Sequence, residues 1–222
     1  MGLLKSNIAP KTGDRRQVAK FDLANVGLCA KLNFMGEHRR RNHLSAVTLG
    51  SFLGLQLFVT NIAMAGPAAE IVERLKNATP DSYAVIEREL ENVWSRSDSA
   101  SADLLLQRGR DAMEAGEFKV AIGHLTALVD HAPEFAEGWN ARATAYFNLE
   151  MYGPALDDIR QALVLNPNHY KAMSGFGIIL ERSGNLQAAL DAFRKAASIH
   201  PNREDIATAI ERLEREVGGQ QA

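Results

Sequence analysis

Apolar residues recur every three or four positions in short stretches from residue 67 onward, and glycine, proline and small polar residues separate these stretches. Residues 67–77 and 81–96 form a predicted helix pair, with Asp81 as a candidate N-terminal cap of the second helix. The apolar faces expected to meet in this pair are Ile71 and Leu75 with Ile86, Leu90 and Val93. Residues 204–217 form a further predicted helix, with charged side chains between Ile206, Ile210, Leu213 and Val217. The pattern predicts an all-α protein built from short amphipathic helices.

Three kinds of position recur with a period of 34 residues in the middle of the chain. They are a proline, an alanine and a position of glycine or alanine: Pro133, Pro167 and Pro201; Ala121, Ala155 and Ala189; Gly109, Ala143 and Gly177. Small side chains let two helices approach closely, and the larger Trp139, Tyr146 and Phe193 are expected to fill the space beside them. The two helices of each repeat are expected to be separated by turns at Gly116, at Gly153–Pro154 and at Gly184–Asn185.

This period and these residue types resemble the tetratricopeptide repeat (TPR) family. The resemblance divides the chain into repeats at 102–135, 136–169 and 170–203. The second repeat matches best, although Arg142 replaces the usual leucine and Ile159 the usual aromatic residue. The resemblance implies a solenoid of helical hairpins that winds into a right-handed superhelix with a concave inner face.

The same resemblance assigns roles to the segments on either side of the repeats. Residues 66–101 are interpreted as an N-terminal helix pair that forms a degenerate repeat or a cap. Residues 204–217 are interpreted as a capping helix with a polar outer face. Residues 218–222 are expected to be a disordered tail.

In TPR domains the first helix of each repeat lines the concave face, so the resemblance also implies a set of partner-binding residues. Carried onto this sequence, they are Leu106, Arg110, Met113, Asn140, Thr144, Phe147, Asn148, Lys171, Ser174, Ile178 and Arg182. Polar members of the set are expected to hold the backbone or a carboxylate of an extended peptide, and Phe147 to anchor a side chain. The alternative is that these polar residues simply solvate an exposed surface. Trp139 and Tyr146, at consensus packing positions, are interpreted as core rather than as an aromatic ligand cage.

The carboxylate clamp of chaperone-binding TPR domains is a more specific version of this site. The positions that correspond to the clamp residues are Leu106, Arg110, Ala141, Lys171 and Gly175, and only Lys171 matches. The departure from the clamp puts recognition of an acidic C-terminus in doubt.

A basic stretch, an uncharged apolar stretch and a site of small residues stand in that order before the repeats. Three consecutive arginines lie within residues 38–43, residues 44–65 contain no charged side chain, and Ala63-Met64-Ala65 precedes Gly66. This order is typical of a secretory signal peptide at 35–65 that is cleaved between Ala65 and Gly66. A leader of ordinary length would begin at Met35, so residues 1–34 are interpreted as a non-native upstream extension or a disordered leader.

The competing interpretation keeps residues 44–65 as an uncleaved membrane anchor, since about 20 apolar residues span a bilayer. Polar residues dilute this segment, which favours cleavage. Both interpretations place the repeats outside the cytoplasm, because positive residues remain inside. We therefore expect a periplasmic protein, or an inner-membrane protein that faces the periplasm.

Charge and candidate chemistry narrow the function further. Residues 1–65 carry a net charge of +6 and residues 66–222 carry −8, so nucleic-acid binding by the repeats is not expected. The single cysteine, Cys29, lies in the leader. His124, His131, His169 and His200 show no metal-ligand spacing, and the last three are interpreted as loop histidines with satisfied hydrogen bonds. The adjacent Asp157 and Asp158 are interpreted as helix-capping and solubilising residues.

These observations favour a non-enzymatic scaffold without metal or cofactor that binds a protein or peptide in its concave groove. The chain resembles small exported TPR proteins of Gram-negative bacteria, which implies a role in cell-envelope assembly, integrity or secretion. The alternatives are a membrane-anchored accessory subunit of an envelope complex, an enzyme built on a TPR frame, and self-association through exposed repeat ends. A catalytic triad or dyad is not visible in the sequence.

Overall fold

The computed structural model describes residues 66–219, and in that range all regular structure is helical. The helices are α1 (Pro67–Lys76), α2 (Tyr83–Trp94), α3 (Ala100–Glu114), α4 (Phe118–His131), α5 (Ala136–Asn148), α6 (Tyr152–Leu165), α7 (Tyr170–Arg182), α8 (Leu186–Ala197) and α9 (Glu204–Gly219). None of these helices is long and apolar enough to cross a membrane. The predicted extension, leader and membrane anchor within residues 1–65 lie outside the described residues, as does the end of the tail at 220–222.

Helices α3 to α8 form three successive hairpins. α3 packs on α4, α5 on α6 and α7 on α8, and each hairpin also packs on the next through α4 with α5 and α6 with α7. The first helices of neighbouring hairpins contact each other as well, and α9 packs on α8. The predicted all-α solenoid of helical hairpins is therefore confirmed.

Glycines inside the hairpins allow the close approach that the 34-residue period predicts. A Cβ atom added to Gly109 would lie 2.5 Å from Cδ2 of Leu125, and one added to Gly177 would lie 2.9 Å from the ring of Phe193. At the equivalent point of the middle hairpin, Ala143 is buried. The paired helices therefore pack with almost no space for a larger side chain at this position.

The turns within the hairpins follow the period, but one of them differs from the prediction. Gly116 and Gly184 have positive φ angles of 74° and 78°, and the equivalent residue of the middle hairpin is Glu150, with a φ of 58°. The predicted break at Gly153–Pro154 is wrong, because α6 already begins at Tyr152. Proline is tolerated in the first turn of a helix, where its missing N–H has no intrahelical acceptor.

The N-terminal pair, α1 and α2, does not extend the solenoid as a preceding repeat. Its apolar residues join the core cluster that contains α7 and α8. Nδ2 of Asn202, before α9, donates a 2.7 Å hydrogen bond to the Ala78 carbonyl between α1 and α2. Trp94 stacks on His169, with 4.7 Å between ring centroids. The prediction of a degenerate repeat or N-terminal cap at 66–101 is therefore corrected, since the pair folds back onto the third hairpin.

Two smaller predictions about helix ends also differ from the structure. Asp81 does not cap α2, because the helix begins at Tyr83 and the local hydrogen bonds are made by Ser82 with Thr79. At the other end, Gly218 and Gly219 continue α9 instead of beginning a disordered tail. Burial of one face of α9 on α8 holds the helix, with Ile206, Ala209 and Leu213 inside.

Candidate functional site

A cavity of about 330 Å³ opens between α5 and α7, the first helices of the second and third hairpins. Its buried wall is apolar and includes Ala143, Ile159 and Ile179. The more exposed lining consists mainly of uncharged polar and apolar side chains, namely Asn140, Thr144, Phe147, Asn148, Ser174 and Ile178. The cavity is an apolar recess surrounded by hydrogen-bonding groups, which is the common form of a ligand-binding site in proteins.

Seven residues of the predicted partner-binding set line this cavity together. They are Asn140, Thr144, Phe147 and Asn148 from α5 and Lys171, Ser174 and Ile178 from α7. Asn140, Thr144 and Phe147 on α5, and the three residues on α7, lie three or four positions apart, so each group shares one face, and Asn148 directly follows Phe147. The structure brings these residues to one place, and their contact with a partner stays a prediction.

The other four residues of the set lie elsewhere. Leu106 is 1% exposed and packs in the core between the first two hairpins, so its assignment to the groove is wrong. Met113 packs against the same core. Arg110 donates to Glu137 at 2.6 Å and to Ser95 at 3.0 Å. Periodicity alone does not separate inward-turned from core positions in the first repeat, where Leu106 is apolar and the equivalent Asn140 is polar.

Arg182 marks the far edge of the groove. Its guanidinium lies 4.9 Å from the ring centroid of Phe147 and donates a 2.9 Å hydrogen bond to the hydroxyl of Tyr152. A cation over an aromatic face is held by the charge distribution of the ring. Arg182 therefore orients Phe147, which lines the cavity.

A charged network lies beside the cavity, at the start of α5 and α7. The Glu137 carboxylate accepts from Arg110 at 2.6 Å and faces Nε2 of His169 at 2.9 Å. Burial acts to raise the pKa of Glu137, but the hydrogen bonds from His169 and Arg110, together with the positive charge of Arg110, outweigh it and hold the pKa below its usual value. Nδ1 of His169 accepts from the Ala172 amide at 3.3 Å, as the predicted satisfied histidine should.

Two further cations of the cavity lining, Lys171 and Arg203, are paired with α2. Nζ of Lys171 forms an ion pair with Glu91. Nη1 of Arg203 donates to Glu87 at 2.7 Å, and its other guanidinium nitrogens bond to Asp205. The positive charges on this side of the cavity are therefore neutralised from within the chain.

His200 departs from the prediction that it is satisfied. The side chain is fully buried, and within the described part of the chain neither ring nitrogen has a hydrogen-bond partner. The nearest carboxylate oxygen belongs to Glu87 and lies 3.6 Å from Nε2. Burial therefore lowers the pKa of His200. His131, by contrast, has its predicted partner, since its Nε2 lies 3.1 Å from Oγ of Ser99.

Asp158 is buried, in contrast to its predicted role at the surface. Its two carboxylate oxygens accept from Nε and Nη2 of Arg142, both at 2.8 Å. These bonds raise the pKa of the Arg142 guanidinium, which also lies 5.0 Å from the ring centroid of Trp139. A bidentate pair between α5 and α6 thus replaces the leucine packing expected at position 142. Asp157 is exposed, as predicted, and pairs with Arg160.

Trp139 and Tyr146 pack in the protein and do not form an open aromatic site. Both are partly buried and pack against the core, and Nε1 of Trp139 donates to the Pro133 carbonyl at 2.8 Å. Their rings flank Arg142, which is already paired with Asp158. These contacts occupy the two rings and agree with the interpretation as packing residues. Among residues 66–219 there is also no group of three His, Cys, Asp or Glu side chains that could hold a metal ion.

Sequence reasoning missed several residues of the cavity. Gly175, Ile159 and Ile179 form part of its lining, and Asp205 closes it from α9. Asp205 lies 34 residues after Lys171, so extension of the period by one more helix would have found it. Ile159 is on the second helix of its hairpin, and a Cβ atom added at Gly175 would lie 3.7 Å from its Cδ1, so a glycine at 175 leaves Ile159 open to the cavity and a side chain longer than alanine would cover it.

Comparisons with family models identify repeats in the same region of the chain. A tetratricopeptide-repeat model matches residues 136–169, and a second model of the same description matches residues 106–152. A TPR repeat-containing protein of Rhizobium etli is 35% identical over 122 residues, which cover 55% of this chain and 60% of that protein. The small glutamine-rich tetratricopeptide repeat-containing protein 2 of Mycosarcoma maydis is 31% identical over 110 residues, 50% of this chain and 31% of that protein. The matches span less than two thirds of these relatives.

Solved structures show the same architecture. The first TPR domain of Spaghetti (RPAP3), bound to the HSP90 peptide SRMEEVD, superposes with a TM-score of 0.53 at 25% identity and covers 55% of this chain and 96% of that domain. The Sgt2 TPR domain of Aspergillus fumigatus has a TM-score of 0.53 at 24% identity, over 55% of this chain and 83% of that one. The second likeness shows the fold alone. The tetratricopeptide-repeat assignment rests on the family models, which match within residues 106–169, and the two structures agree with it in fold.

Proposed function

Since this chain carries tetratricopeptide repeats, we propose that it is a non-enzymatic scaffold that binds an uncharged, extended segment of a partner protein in the cavity between α5 and α7. The observation that carries this proposal is the cavity itself, because its buried wall is apolar and its surroundings are polar but largely uncharged. The similar Spaghetti domain binds a peptide, which supports a peptide segment as the ligand but not its lack of charge, since that peptide, SRMEEVD, is acidic.

The apolar wall is suited to one large apolar side chain of the partner. Burial of such a side chain contributes about 1.5–3 kcal/mol. Ile178 is 38% exposed at the edge of the cavity and would lose its own contact with water when the segment binds. Ile159 and Ile179 provide the buried contact surface.

The polar lining is suited to the backbone of an extended segment. Oγ1 of Thr144 donates to the Asn140 carbonyl at 3.0 Å, and Oγ of Ser174 donates to the Tyr170 carbonyl at 2.9 Å. Nδ2 of Asn148 likewise donates to the Thr144 carbonyl. Because these donors are used within their own helices, the side-chain oxygens are left to accept hydrogen bonds from backbone N–H groups.

An acidic C-terminus of the HSP90 type is not the ligand that these surroundings favour. Of the positions that would form a carboxylate clamp, Leu106 and Ala141 are buried and Gly175 has no side chain. Arg110 and Lys171 are already paired with Glu137 and Glu91. A terminal carboxylate would therefore lose its hydration without gaining an unpaired cation.

A substitution that fills the cavity tests this proposal. A Cβ at Gly175 would meet Ile159 at an ordinary 3.7 Å, so Gly175→Ala should fold and should bind about as well as the wild type, whereas Gly175→Leu should occupy the cavity. Peptides selected from a phage-displayed random library on the wild-type protein would be measured by fluorescence anisotropy. We expect at least a tenfold weaker Kd for Gly175→Leu.

Gly123→Ala provides the matched control, because Gly123 lies on α4, away from the cavity, with nothing within 4 Å of an added Cβ. This variant gains the same helix propensity and should leave the Kd unchanged. If the selected peptides bind Gly175→Leu as tightly as the wild type, the cavity is not where they bind, and the proposal is contradicted.

We also propose that the protein works in the periplasm, where its partner would take part in cell-envelope assembly, integrity or secretion. The basic and apolar leader at 35–65 supports export, and α1 begins at Pro67, directly after the proposed cleavage site. Mass spectrometry of the protein from a periplasmic extract should find Gly66 at its N-terminus. A membrane fraction that retains residues 44–65 would support the anchored alternative instead.

A further inference from the structure

Helix α2 places an acidic face against a small polar and cationic surface at one end of the cavity. We call this surface the rim and define it by Tyr170, Lys171 and Arg203. The Glu87 carboxylate accepts from the Tyr170 hydroxyl at 2.8 Å and from Arg203 at 2.7 Å. Glu91, one helical turn later, pairs with Lys171 and lies 3.4 Å from the same hydroxyl.

The rim is continuous with the proposed binding groove. All three of its residues line the cavity between α5 and α7. The contacts with α2 are therefore made at the position where a bound segment would leave the cavity. The chain itself shows which ligand chemistry the rim accepts, namely a helix with two carboxylates one turn apart.

A buried histidine, without hydrogen bonds in the described part of the chain, lies at the contact between α2 and the rim. His200 is buried between Tyr83 of α2 and Tyr170 of the rim, with ring centroids 5.5 and 5.1 Å away. Both of its nitrogens lack hydrogen-bond partners within the described residues. Release of α2 would return these nitrogens to water, which offsets part of the loss of the Glu87 and Glu91 contacts and of the apolar contacts of Leu90.

The connection of α2 to the solenoid is short and polar. Ser97 and Ser99 lie between α2 and α3, and their hydroxyls bond to Asp103 and His131. Ser95, at the end of α2, accepts from Arg110. Ser99 also caps α3 by accepting from the Ala102 amide, so release of α2 requires only that the bonds of Ser95 and Ser97 be exchanged for water, while this cap is kept.

We propose that the hairpin of α1 and α2 is a displaceable cover, and that an acidic helical segment of a partner protein replaces α2 on the rim. The inference rests on the proposed function, since it assumes that the groove receives a protein segment. Displacement would free both the rim and the adjoining end of the cavity. The uncharged, extended segment of the partner would then lie in the cavity, and an acidic helical segment next to it in the partner would place its carboxylates on Lys171 and Arg203.

A labelled synthetic peptide with the sequence of residues 79–97 is the probe for this proposal. The Glu87→Gln/Glu91→Gln protein should bind the peptide at least tenfold more tightly than the wild type, because its own α2 no longer competes for the rim. A further Lys171→Gln change in that protein should abolish the gain. Fluorescence anisotropy gives each Kd.

Glu89→Gln is the matched control for the loss of charge. Glu89 lies on the same helix, but it is exposed and pairs with Arg74 of α1 instead of the rim. This variant should bind the peptide as weakly as the wild type. Hydrogen exchange of the α3–α9 amides would confirm that the solenoid of each variant remains folded.

The outcome distinguishes this inference from the proposed function. The wild type and the Glu87→Gln/Glu91→Gln protein could bind the peptide equally well while library-selected peptides still bind at the cavity. That result would show that the α1–α2 hairpin is not displaced, and it would contradict this inference but not the proposed function. Loss of binding by library peptides to the Gly175→Leu variant, with residues 79–97 still bound, would separate the two sites.

Discussion

Individual residues of this chain show how the period in the sequence is converted into packing. Gly109 has no space for a Cβ, because Cδ2 and Cγ of Leu125 would lie 2.5 and 2.6 Å from it. Gly109→Ala should therefore lower the free energy of unfolding by about 1–3 kcal/mol, although alanine is the better helix former. Urea denaturation would measure the change, and Gly123→Ala should instead be neutral or up to about 1 kcal/mol stabilising.

The ion pair of Arg142 and Asp158 provides a second prediction at this scale. Asp158→Ala leaves a largely buried guanidinium without its carboxylate and should cost about 3–5 kcal/mol of unfolding free energy. Arg142→Leu combined with Asp158→Ala should cost less than the single change, because it removes the stranded charge and restores the consensus leucine. Thermal or urea unfolding of the single and double variants would check the order, and a double variant less stable than Asp158→Ala would contradict it.

These residues also show what a single sequence can reveal. Gly109 and Gly177 are recognisable because the period repeats them, and the period reflects packing within each hairpin. From the sequence, Asp157 and Asp158 are both expected to cap and solubilise a helix start, and only the position of Arg142 on the facing helix reveals that Asp158 is buried in an ion pair. His200 could not be assigned because its surroundings come from α2, more than 100 residues earlier in the chain.

At the scale of elements, the docking of α2 depends on pH because the pKa values of His200 and Glu87 are both lowered when α2 is docked. Burial lowers the pKa of His200 below 6.5 in the docked state. Burial acts to raise the pKa of Glu87, but the bonds from Tyr170 and Arg203 outweigh it and lower that pKa below 4.5. Tyr83, Tyr170, Arg203 and Asp205 complete the surroundings of His200.

Protonation of either group at low pH weakens the docking of α2. As the pH falls below about 6.5, His200 binds a proton more readily in the undocked state, so docking weakens. A second loss begins below about pH 4.5, where Glu87 is protonated first in the undocked state. Docking is therefore most stable at neutral pH and above.

Trp94 gives a readout of this change, because it stacks on His169 only while α2 is docked. In a Trp139→Phe background Trp94 is the only tryptophan, and its emission should change between pH 7 and pH 5. His200→Phe keeps an aromatic ring without the titrating nitrogens, so it should remove this first transition and leave the one below pH 4.5. An identical titration of both proteins would show that His200 has no part in docking.

The location of the α1–α2 pair illustrates why elements are easier to predict than their arrangement. Its helices and facing apolar residues follow from local spacing, and Ile71, Leu75 and Leu90 are buried as expected. The side of the solenoid on which it lies depends on pairs such as Glu87 with Arg203, separated by more than 100 residues. A charged residue on a helix gives no sign of its partner, so local spacing predicts a degenerate repeat or an N-terminal cap instead of the observed position on the third hairpin.

At the scale of the whole molecule, the position of α1 and α2 leaves the first repeat without a helical neighbour on its outer end among residues 66–219. Leu104, Gly138 and Ala172 occupy the same position in the three repeats. Leu104 is 50% exposed, whereas Gly138 is buried against Leu128 and Ala172 is 1% exposed. Self-association through this end stays a prediction. Light scattering over a concentration series would test it, and a constant monomer mass would exclude it.

The central claim is that the cavity between α5 and α7 is where a partner protein binds. Site-specific photo-crosslinking in the native cells tests it most directly, with benzoylphenylalanine in place of Ile178, which is exposed at the cavity, or of Val120, which is exposed on α4 away from it. We expect a discrete crosslinked partner from position 178 that is absent from position 120 and is lost when Gly175→Leu is added. A partner crosslinked from position 120 and not from position 178 would contradict the account, because it would place the interface outside the groove.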